Sequence, residues 1–247
     1  MPTRGSMSKR LVLVVAMVFA LAACEEDAGS ETEAQGTPAQ TAAFNAGKAA
    51  FEQGDYPTAA REWRTLADEG YALAQGNLGV LYNEGLSVAQ NYAKAAGWFG
   101  KAAEQGNAEA QNNLGVMYQS GQGVPQDHAE AVRWYRKAAN QGYAGAQNNL
   151  GVMYGSGLGV RQDHAEAARW YRRAADQGYV NAQNNLGVMY QSGQGVPQDI
   201  VQAYMWWDLA AAGVLNSRLN RDIAAERMTP AQIAEAQRLA REWKPTK

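Results

Sequence analysis

The chain has 247 residues, with 22 lysine and arginine side chains against 24 aspartate and glutamate side chains and a formal net charge of −2. Because nucleic-acid-binding domains carry a basic face or stripe, this balance argues against nucleic acid as a partner. The sequence contains one cysteine, which excludes a framework of internal disulfide bonds.

The N-terminal segment, residues 1–23, has the layout of an export signal. Three basic residues precede an uninterrupted apolar run over residues 11–21, which is too short to span a bilayer. The run ends in the letters LAAC, whose cysteine is Cys24. This ending resembles the lipobox of bacterial lipoproteins, and the resemblance implies cleavage before Cys24 and lipidation of its thiol. The alternative is an ordinary signal peptide with a cysteine near its cleavage site.

Residues 24–40 are acidic and contain several small or turn-forming residues. Such a stretch cannot bury enough apolar surface to order itself, so we predict a disordered tether. The lipoprotein resemblance implies a protein anchored in the bacterial cell envelope and facing the periplasm. Glu25, directly after the cysteine, favours the outer over the inner membrane.

Residues 41–69 are predicted to form a helix pair. Small residues and Phe51 recur at helical spacing before the turn Gly54-Asp55-Tyr56-Pro57, and a second helix follows around Trp63. The pair resembles a tetratricopeptide repeat. Because a stack of helix pairs needs an end unit with a polar outer face, we assign it as the N-terminal cap.

A repeat dominates the centre of the chain. The nine letters AQNNLGVMY occur at residues 110–118, 146–154 and 182–190, and a near copy, AQGNLGVLY, occupies residues 74–82. The period is 36 residues, which is typical of a stacked repeat array. We predict four such units within residues 70–213.

Each unit predicts two helices, here called helix A and helix B. In the second unit the apolar stripe of helix A includes Leu114 and Tyr118, and Gly121 ends the helix. Helix B starts at the cap Asp127, and Glu130 completes the pattern of a capping box. The same box is predicted for Asp163 with Glu166 and for Asp199 with Gln202, whereas Asn91 is the cap in the first full unit.

The full pattern joins the A-x-A-Q-x-x-L-G-x-x-Y of helix A to the D-x-x-x-A-x-x-W of helix B. It resembles the Sel-one-like repeat family, relatives of tetratricopeptide repeats with a longer loop between the helices. The resemblance implies an all-α fold, a right-handed α-solenoid of antiparallel helix pairs that serves as a scaffold for protein complexes.

A glycine lies in the middle of each A helix, where it costs about 1 kcal/mol relative to alanine. These residues are Gly79, Gly115, Gly151 and Gly187. We predict that the missing side chain lets the helix B tryptophan, such as Trp134, lie against the helix A backbone, and that the burial of this ring outweighs the cost.

Residues 214–247 depart from the repeat. A helix over residues 217–228 places Leu219 and Ile223 on one face, and Thr229-Pro230 opens a last helix with Gln232 completing its capping box. We predict that this pair closes the exposed side of the last repeat.

No motif of catalysis, metal binding or phosphate binding stands out. The two histidines, His128 and His164, take the same repeat position after a capping aspartate, and we predict solvent-facing residues rather than metal ligands. We therefore predict that the protein is not an enzyme and that it needs no cofactor or metal.

Asparagines on the other face of helix A are the candidate binding residues. Their amides could donate to and accept from the backbone of a bound peptide. They are Asn77, Asn112, Asn113, Asn148, Asn149, Asn184 and Asn185. The alternative is that they satisfy backbone groups between stacked repeats.

Two functions follow. The first is an interaction scaffold or adaptor, tethered in the bacterial envelope, that binds a protein or peptide in the concave face of the solenoid. The second is a cell-wall-active protein that binds peptidoglycan or β-lactams, or hydrolyses them, through the aromatic surfaces of Tyr135, Tyr171 and Trp207. Members of the family linked to β-lactams are rich in cysteine, whereas this chain has one.

Overall fold

A computed structural model describes residues 37–246, so the predicted signal segment and residues 24–36 of the predicted tether lie outside the described residues. The described part contains twelve α-helices and no strand. They are α1 (Pro38–Glu52), α2 (Tyr56–Asp68), α3 (Ala72–Glu84), α4 (Tyr92–Glu104), α5 (Ala108–Ser120), α6 (His128–Asn140), α7 (Ala144–Ser156), α8 (His164–Asp176), α9 (Val180–Ser192), α10 (Ile200–Ala210), α11 (Leu215–Ala225) and α12 (Pro230–Glu242). Helix α1 begins within the range 24–40 that was predicted as tether.

The helices form five antiparallel pairs followed by two further helices. Helix A of the pairs is α1, α3, α5, α7 and α9, and helix B is α2, α4, α6, α8 and α10. Consecutive helices pack together along the chain from α1 to α11. Helix α12 returns to pack on α10. This nearest-neighbour packing confirms the predicted all-α solenoid.

Polar side chains start the B helices as predicted. Asp127 accepts hydrogen bonds from the backbone N–H groups two and three residues further on, at 2.9 and 3.0 Å. In the other full repeats the caps are Asn91, Asp163 and Asp199. The second half of the predicted capping boxes is absent from these helices, and Glu130 and Glu166 instead pair with Arg133 and Arg169 one turn further on. Thr229 and Gln232 do form a complete capping box.

The predicted contact between glycine and tryptophan is wrong for the four full repeats. The ring that lies on the helix A glycine belongs to the residue after the tryptophan: a Cβ added to Gly151 would lie 2.7 Å from ring carbons of Tyr171. The equivalent pairs are Gly79 with Phe99, Gly115 with Tyr135, and Gly187 with Trp207. Successive residues point about 100° apart around a helix, so the preceding tryptophan faces elsewhere.

The tryptophans of helix B join their own repeat to the one before it. Trp134 belongs to the core cluster of residues 50–117, and Trp170 to the cluster of residues 131–153. Both rings are buried. Lys137 Nζ lies 4.2 Å from the ring centroid of Trp134, and the Arg173 guanidinium 4.5 Å from that of Trp170. Each tryptophan ring therefore makes a cation–π contact with a basic side chain of its own helix.

A buried glutamine links consecutive repeats by hydrogen bonds. Gln147 donates from Nε2 to the carbonyl oxygen of Ala139 at 3.2 Å and accepts from Nε2 of Gln177 at 2.8 Å. Gln75, Gln111 and Gln183 donate to the equivalent carbonyls. Through its bond to the preceding helix B, the glutamine of the repeated AQ letters is thus a polar connection at the junction between repeats.

The loops between the helices also stack on the preceding repeat. Gly159 has a φ of 67°, and a Cβ there would overlap the carbonyl oxygen of His128. Gly123 meets Tyr92 in the same way, and Gly195 meets His164. Glycine at this position therefore permits both the left-handed backbone and the close approach of two main chains.

The two C-terminal helices pack on the last repeat in different ways. Directly after α12, Trp243 meets Trp206 edge-on, with ring centroids 6.2 Å apart. The predicted apolar stripe of α11 is only partly buried: Leu219 is 59% and Ile223 37% exposed, whereas the third residue of the stripe, Ala224, is fully buried. The buried hydroxyl of Ser217 also connects α11 to the last repeat and donates to Asn184 Oδ1 at 2.9 Å.

Candidate functional site

One face of the A helices is left uncovered by the B helices, and we call it the helix A face. It takes four positions from each helix, spaced four, three and four residues apart, which lie on one side of a helix. They are Leu73, Asn77, Val80 and Glu84 in α3; Glu109, Asn113, Val116 and Ser120 in α5; Gly145, Asn149, Val152 and Ser156 in α7; and Asn181, Asn185, Val188 and Ser192 in α9. All of them except Val80 are at least partly exposed.

The candidate asparagines fall into two groups. Asn112 and Asn148 are not on the helix A face: both are buried, and each accepts a hydrogen bond at 3.0 Å from the next repeat, from Asn149 and Asn185 respectively. Asn184, in the last repeat, accepts from Ser217 in the same way. These three inner asparagines therefore connect neighbouring helices through side-chain hydrogen bonds, and not through the backbone groups that the alternative interpretation named.

The outer asparagines, Asn77, Asn113, Asn149 and Asn185, are half-buried at equivalent positions of the four A helices. Asn149 and Asn185 use Nδ2 for the bonds to the inner row. A carboxamide oxygen has two acceptor sites, so their Oδ1 atoms keep capacity for a further donor. Beside this row runs a row of valines, of which Val116 and Val188 are each 41% exposed.

The helix A face carries little charge. Among α3, α5, α7 and α9 the charged side chains are Glu84 and Glu109, and α7 and α9 have none. Glu84 accepts from Asn83 Nδ2 at 2.7 Å. Glu109 is half-buried, and burial raises the pKa of its carboxyl.

The histidines are less exposed than predicted. His128 and His164 are both half-buried, and Nδ1 of His128 is buried without a hydrogen-bond partner among the residues that the structure describes. Their main chain is covered by Gly159 and Gly195 of the following loops. Within residues 37–246 no group of three or more His, Cys, Asp or Glu side chains is placed to hold a metal ion.

The aromatic surface that was predicted for a cell-wall-active protein does not exist. Tyr135 and Trp207 are fully buried, and Tyr171 is 8% exposed, because these rings lie on the helix A glycines. Burial raises the pKa of Tyr171 to about 12. The correction removes the residues on which that function was based.

Sequence reasoning missed a cleft at the C-terminal end, which has a volume of about 690 Å³ and is lined by Gln191, Ser192, Gln198, Ile200 and Arg227. In the earlier repeats the stacked loop of the next repeat lies on the residue equivalent to Ile200. The array ends here, so that place is not filled. The only signal of this cleft in the sequence was the point at which the 36-residue period ends.

Among the helices within residues 37–246, none combines the length and the apolar character needed to cross a membrane.

The family model of the Sel1 repeat matches residues 72–107, 108–143, 144–179 and 180–213, more than half of the chain. The chain belongs to the Sel1 repeat family. Sel1 repeat proteins are generally scaffolds for protein–protein interactions, they typically bind protein partners, and their fold is typically non-catalytic. The comparison with curated proteins gave no match.

Solved structures of other Sel1 repeat proteins share the fold. A protective antigen present in uropathogenic Escherichia coli strains has a TM-score of 0.77 and 38% identity over 83% of this chain, but this chain spans only 45% of its length. A Sel1 repeat protein from Oxalobacter formigenes has a TM-score of 0.65 and 32% identity, with 79% of this chain and 84% of the other covered. A Klebsiella pneumoniae protein, at 23% identity, a TM-score of 0.52 and coverage of 75% and 93%, supports the fold alone.

Proposed function

We propose that this Sel1 repeat protein is a non-enzymatic adaptor that binds an extended segment of a protein partner along the concave helix A face. The observation that carries the proposal is the double row of outer asparagines and valines across four consecutive A helices. A surface that offers an asparagine at all four A helices and an accessible valine at three of them, since Val80 of α3 is buried, suits a ligand that is itself periodic. An extended polypeptide backbone is such a ligand.

The dimensions of the array support this choice. Packed helices lie about 8–10 Å apart, and an extended chain advances about 3.3 Å per residue. A segment crossing the A helices would therefore meet one outer asparagine at roughly every third residue. The Oδ1 atoms of Asn149 and Asn185 would accept from backbone N–H groups, and Val116 and Val188 would contact apolar side chains between them.

We further propose that a lipid on Cys24 tethers the protein to a bacterial membrane, with the outer membrane favoured and the folded repeats facing the periplasm. The support for this part is the basic start, the apolar run and the LAAC letters of the sequence. About thirteen residues lie between Cys24 and α1, and as a flexible tether they would allow a reach on the order of 20 Å from the membrane surface.

The test is affinity capture of partners from solubilised bacterial envelopes by the full-length protein. Replacing both exposed valines, Val116→Glu with Val188→Glu, should abolish capture while leaving the circular dichroism spectrum and melting temperature unchanged, because neither side chain is buried. Leu158→Glu is the matched control, since Leu158 is an exposed apolar residue of an inter-helix loop. An unchanged set of partners in the valine variant would refute the helix A face as the binding surface.

A further inference from the structure

The helix A face carries one carboxylate whose surroundings set it apart. The B helices α4, α6 and α8 each carry three or more charged side chains, whereas the A helices of the full repeats have only Glu84 and Glu109. Glu84 is hydrogen-bonded to the neighbouring Asn83. Glu109 has no hydrogen-bond or ion-pair partner among the residues that the structure describes.

The positions around Glu109 on the helix A face are uncharged. The equivalent positions of the adjacent A helices are Leu73, which is apolar and half-buried, and Gly145, which has no side chain. Asn113 and Val116, one and two turns along α5, continue the helix A face. A long basic side chain that approaches along this face could place its aliphatic stem on apolar surface such as Leu73 and its charged end at the carboxylate.

The usual structural role of a carboxylate in a first helical turn does not account for the pKa of Glu109. Glu109 lies in the first turn of α5, where a carboxylate is normally stabilised by the helix dipole, and this would lower its pKa. Burial instead raises the pKa of Glu109, although the side chain stays partly exposed. A desolvated carboxylate is stabilised in its charged form by a nearby cation. Within residues 37–246 no lysine or arginine forms an ion pair with Glu109, so its negative charge is uncompensated.

We propose that Glu109 selects the partner by pairing with a lysine or arginine side chain of the bound segment. This inference rests on the proposed binding function of the helix A face. A cation brought by the ligand would supply the missing counter-charge and hydrogen-bond donors, and arginine could contact both carboxylate oxygens at once. The uncharged rows around Glu109 would hold the rest of the segment, so the basic residue sets the register of binding.

The experiment selects ligands for the full-length protein from a displayed library of random twelve-residue peptides. Peptides that bind should be enriched in lysine or arginine at one position. Glu109→Gln should weaken the affinity of a selected peptide roughly tenfold or more, as for loss of a charge-assisted hydrogen bond. Glu104→Gln is the matched control, because Glu104 is an exposed glutamate at the end of a B helix. Glu109→Lys should select acidic peptides instead.

The outcomes separate the two proposals. Peptides that bind, are lost with the valine variant, and show no basic preference would overturn the role of Glu109 and leave the binding face intact. A basic preference that persists in Glu109→Gln would assign it to another residue and overturn the inference. A library that yields no peptide dependent on the helix A face would overturn both.

Discussion

At the scale of single residues, a glycine in each A helix decides how closely the two helices of a repeat approach. The aromatic ring of Phe99, Tyr135, Tyr171 or Trp207 occupies the space where its Cβ would be. The glycine lowers helix propensity by about 1 kcal/mol, and the burial of a large ring on its backbone more than offsets this. The repeat can therefore change the ring from phenylalanine to tyrosine or tryptophan but needs the glycine.

Gly151→Ala should lower the free energy of unfolding by roughly 1 kcal/mol or more. The new methyl group would lie 2.7 Å from the Tyr171 ring, and overpacking of about 1–3 kcal/mol exceeds the gain in helix propensity. Gly97→Ala in α4 is the control: it has no neighbour within 4 Å and is exposed, so the propensity gain should appear alone. Urea denaturation measures both, and equal stabilisation of the two variants would contradict the close packing.

Glu109→Gln should raise the melting temperature at neutral pH. Because burial raises the pKa of this carboxyl in the folded protein above its ordinary value of 4.5, the ionised group destabilises the fold at pH 7. Below the unfolded pKa both states are protonated, so the gain should vanish at about pH 3.5. Melting curves against pH for this variant and Glu104→Gln provide the measurement. A lower melting temperature of Glu109→Gln at pH 7 would instead show a stabilising role at the start of α5.

At the scale of elements, each junction between repeats combines three kinds of contact. A buried tryptophan supplies apolar area, a buried glutamine supplies hydrogen bonds, and the loop glycine lets one main chain lie on another. The tryptophan, the loop glycine and the bond from the glutamine Nε2 all reach the preceding repeat, as Gln147 does to the carbonyl oxygen of Ala139. A single repeat would therefore lose most of its core, which is why such units are stable only in arrays.

Gly159→Ala should destabilise the protein more than Gly142→Ala, although both glycines have positive φ, 67° and 92°. The backbone penalty of about 1 kcal/mol is common to both variants. Only at position 159 would the new Cβ collide with the backbone of the preceding repeat, at His128, whereas Gly142 has nothing within 4 Å. The difference between the free energies of unfolding of these two variants measures the contribution of the loop contact. A difference near zero would show that the loop does not hold the repeats together.

At the scale of the whole molecule, the array separates two surfaces. The B helices carry most of the charge and close their tryptophans with lysine and arginine side chains, as Lys101 does on Trp98 at 4.2 Å. The A helices of the full repeats present mainly amides, valines and two carboxylates. A long, nearly uncharged face beside a charged one suits a protein that binds a partner on one side and stays soluble through the other.

Cys24→Ser should release the protein from membranes. If Cys24 carries a lipid, cells grown with labelled palmitate should label the wild-type protein, and fractionation should find the variant in the soluble periplasmic fraction. The physical reason is that acyl chains supply roughly 0.8 kcal/mol of membrane affinity per buried CH₂ group. Membrane association that persists without label would disprove the lipid anchor, and a wild-type protein that never takes up label would favour an ordinary signal peptide.

The sequence by itself determined the all-α repeat, the positions of most helices, the polar starts of the B helices and the glycine ends of the A helices in the full repeats. These features depend on contacts between residues a few positions apart: Asp127 caps the turn that follows it, and Gly121 ends α5 with a φ of 73°. Because the pattern recurs in four copies, each local signal predicts its feature more strongly than a single occurrence would.

Only the tertiary structure decided which side chain of an adjacent pair meets which neighbour. Trp134 and Tyr135, like Asn112 and Asn113, differ by about 100° around the helix, and both directions of each pair face some part of the array. Periodicity identifies a face but not its partner. The rotation of each helix is set by the fit of whole repeats against one another, and that fit buried Asn112 and left Leu219 of α11 exposed.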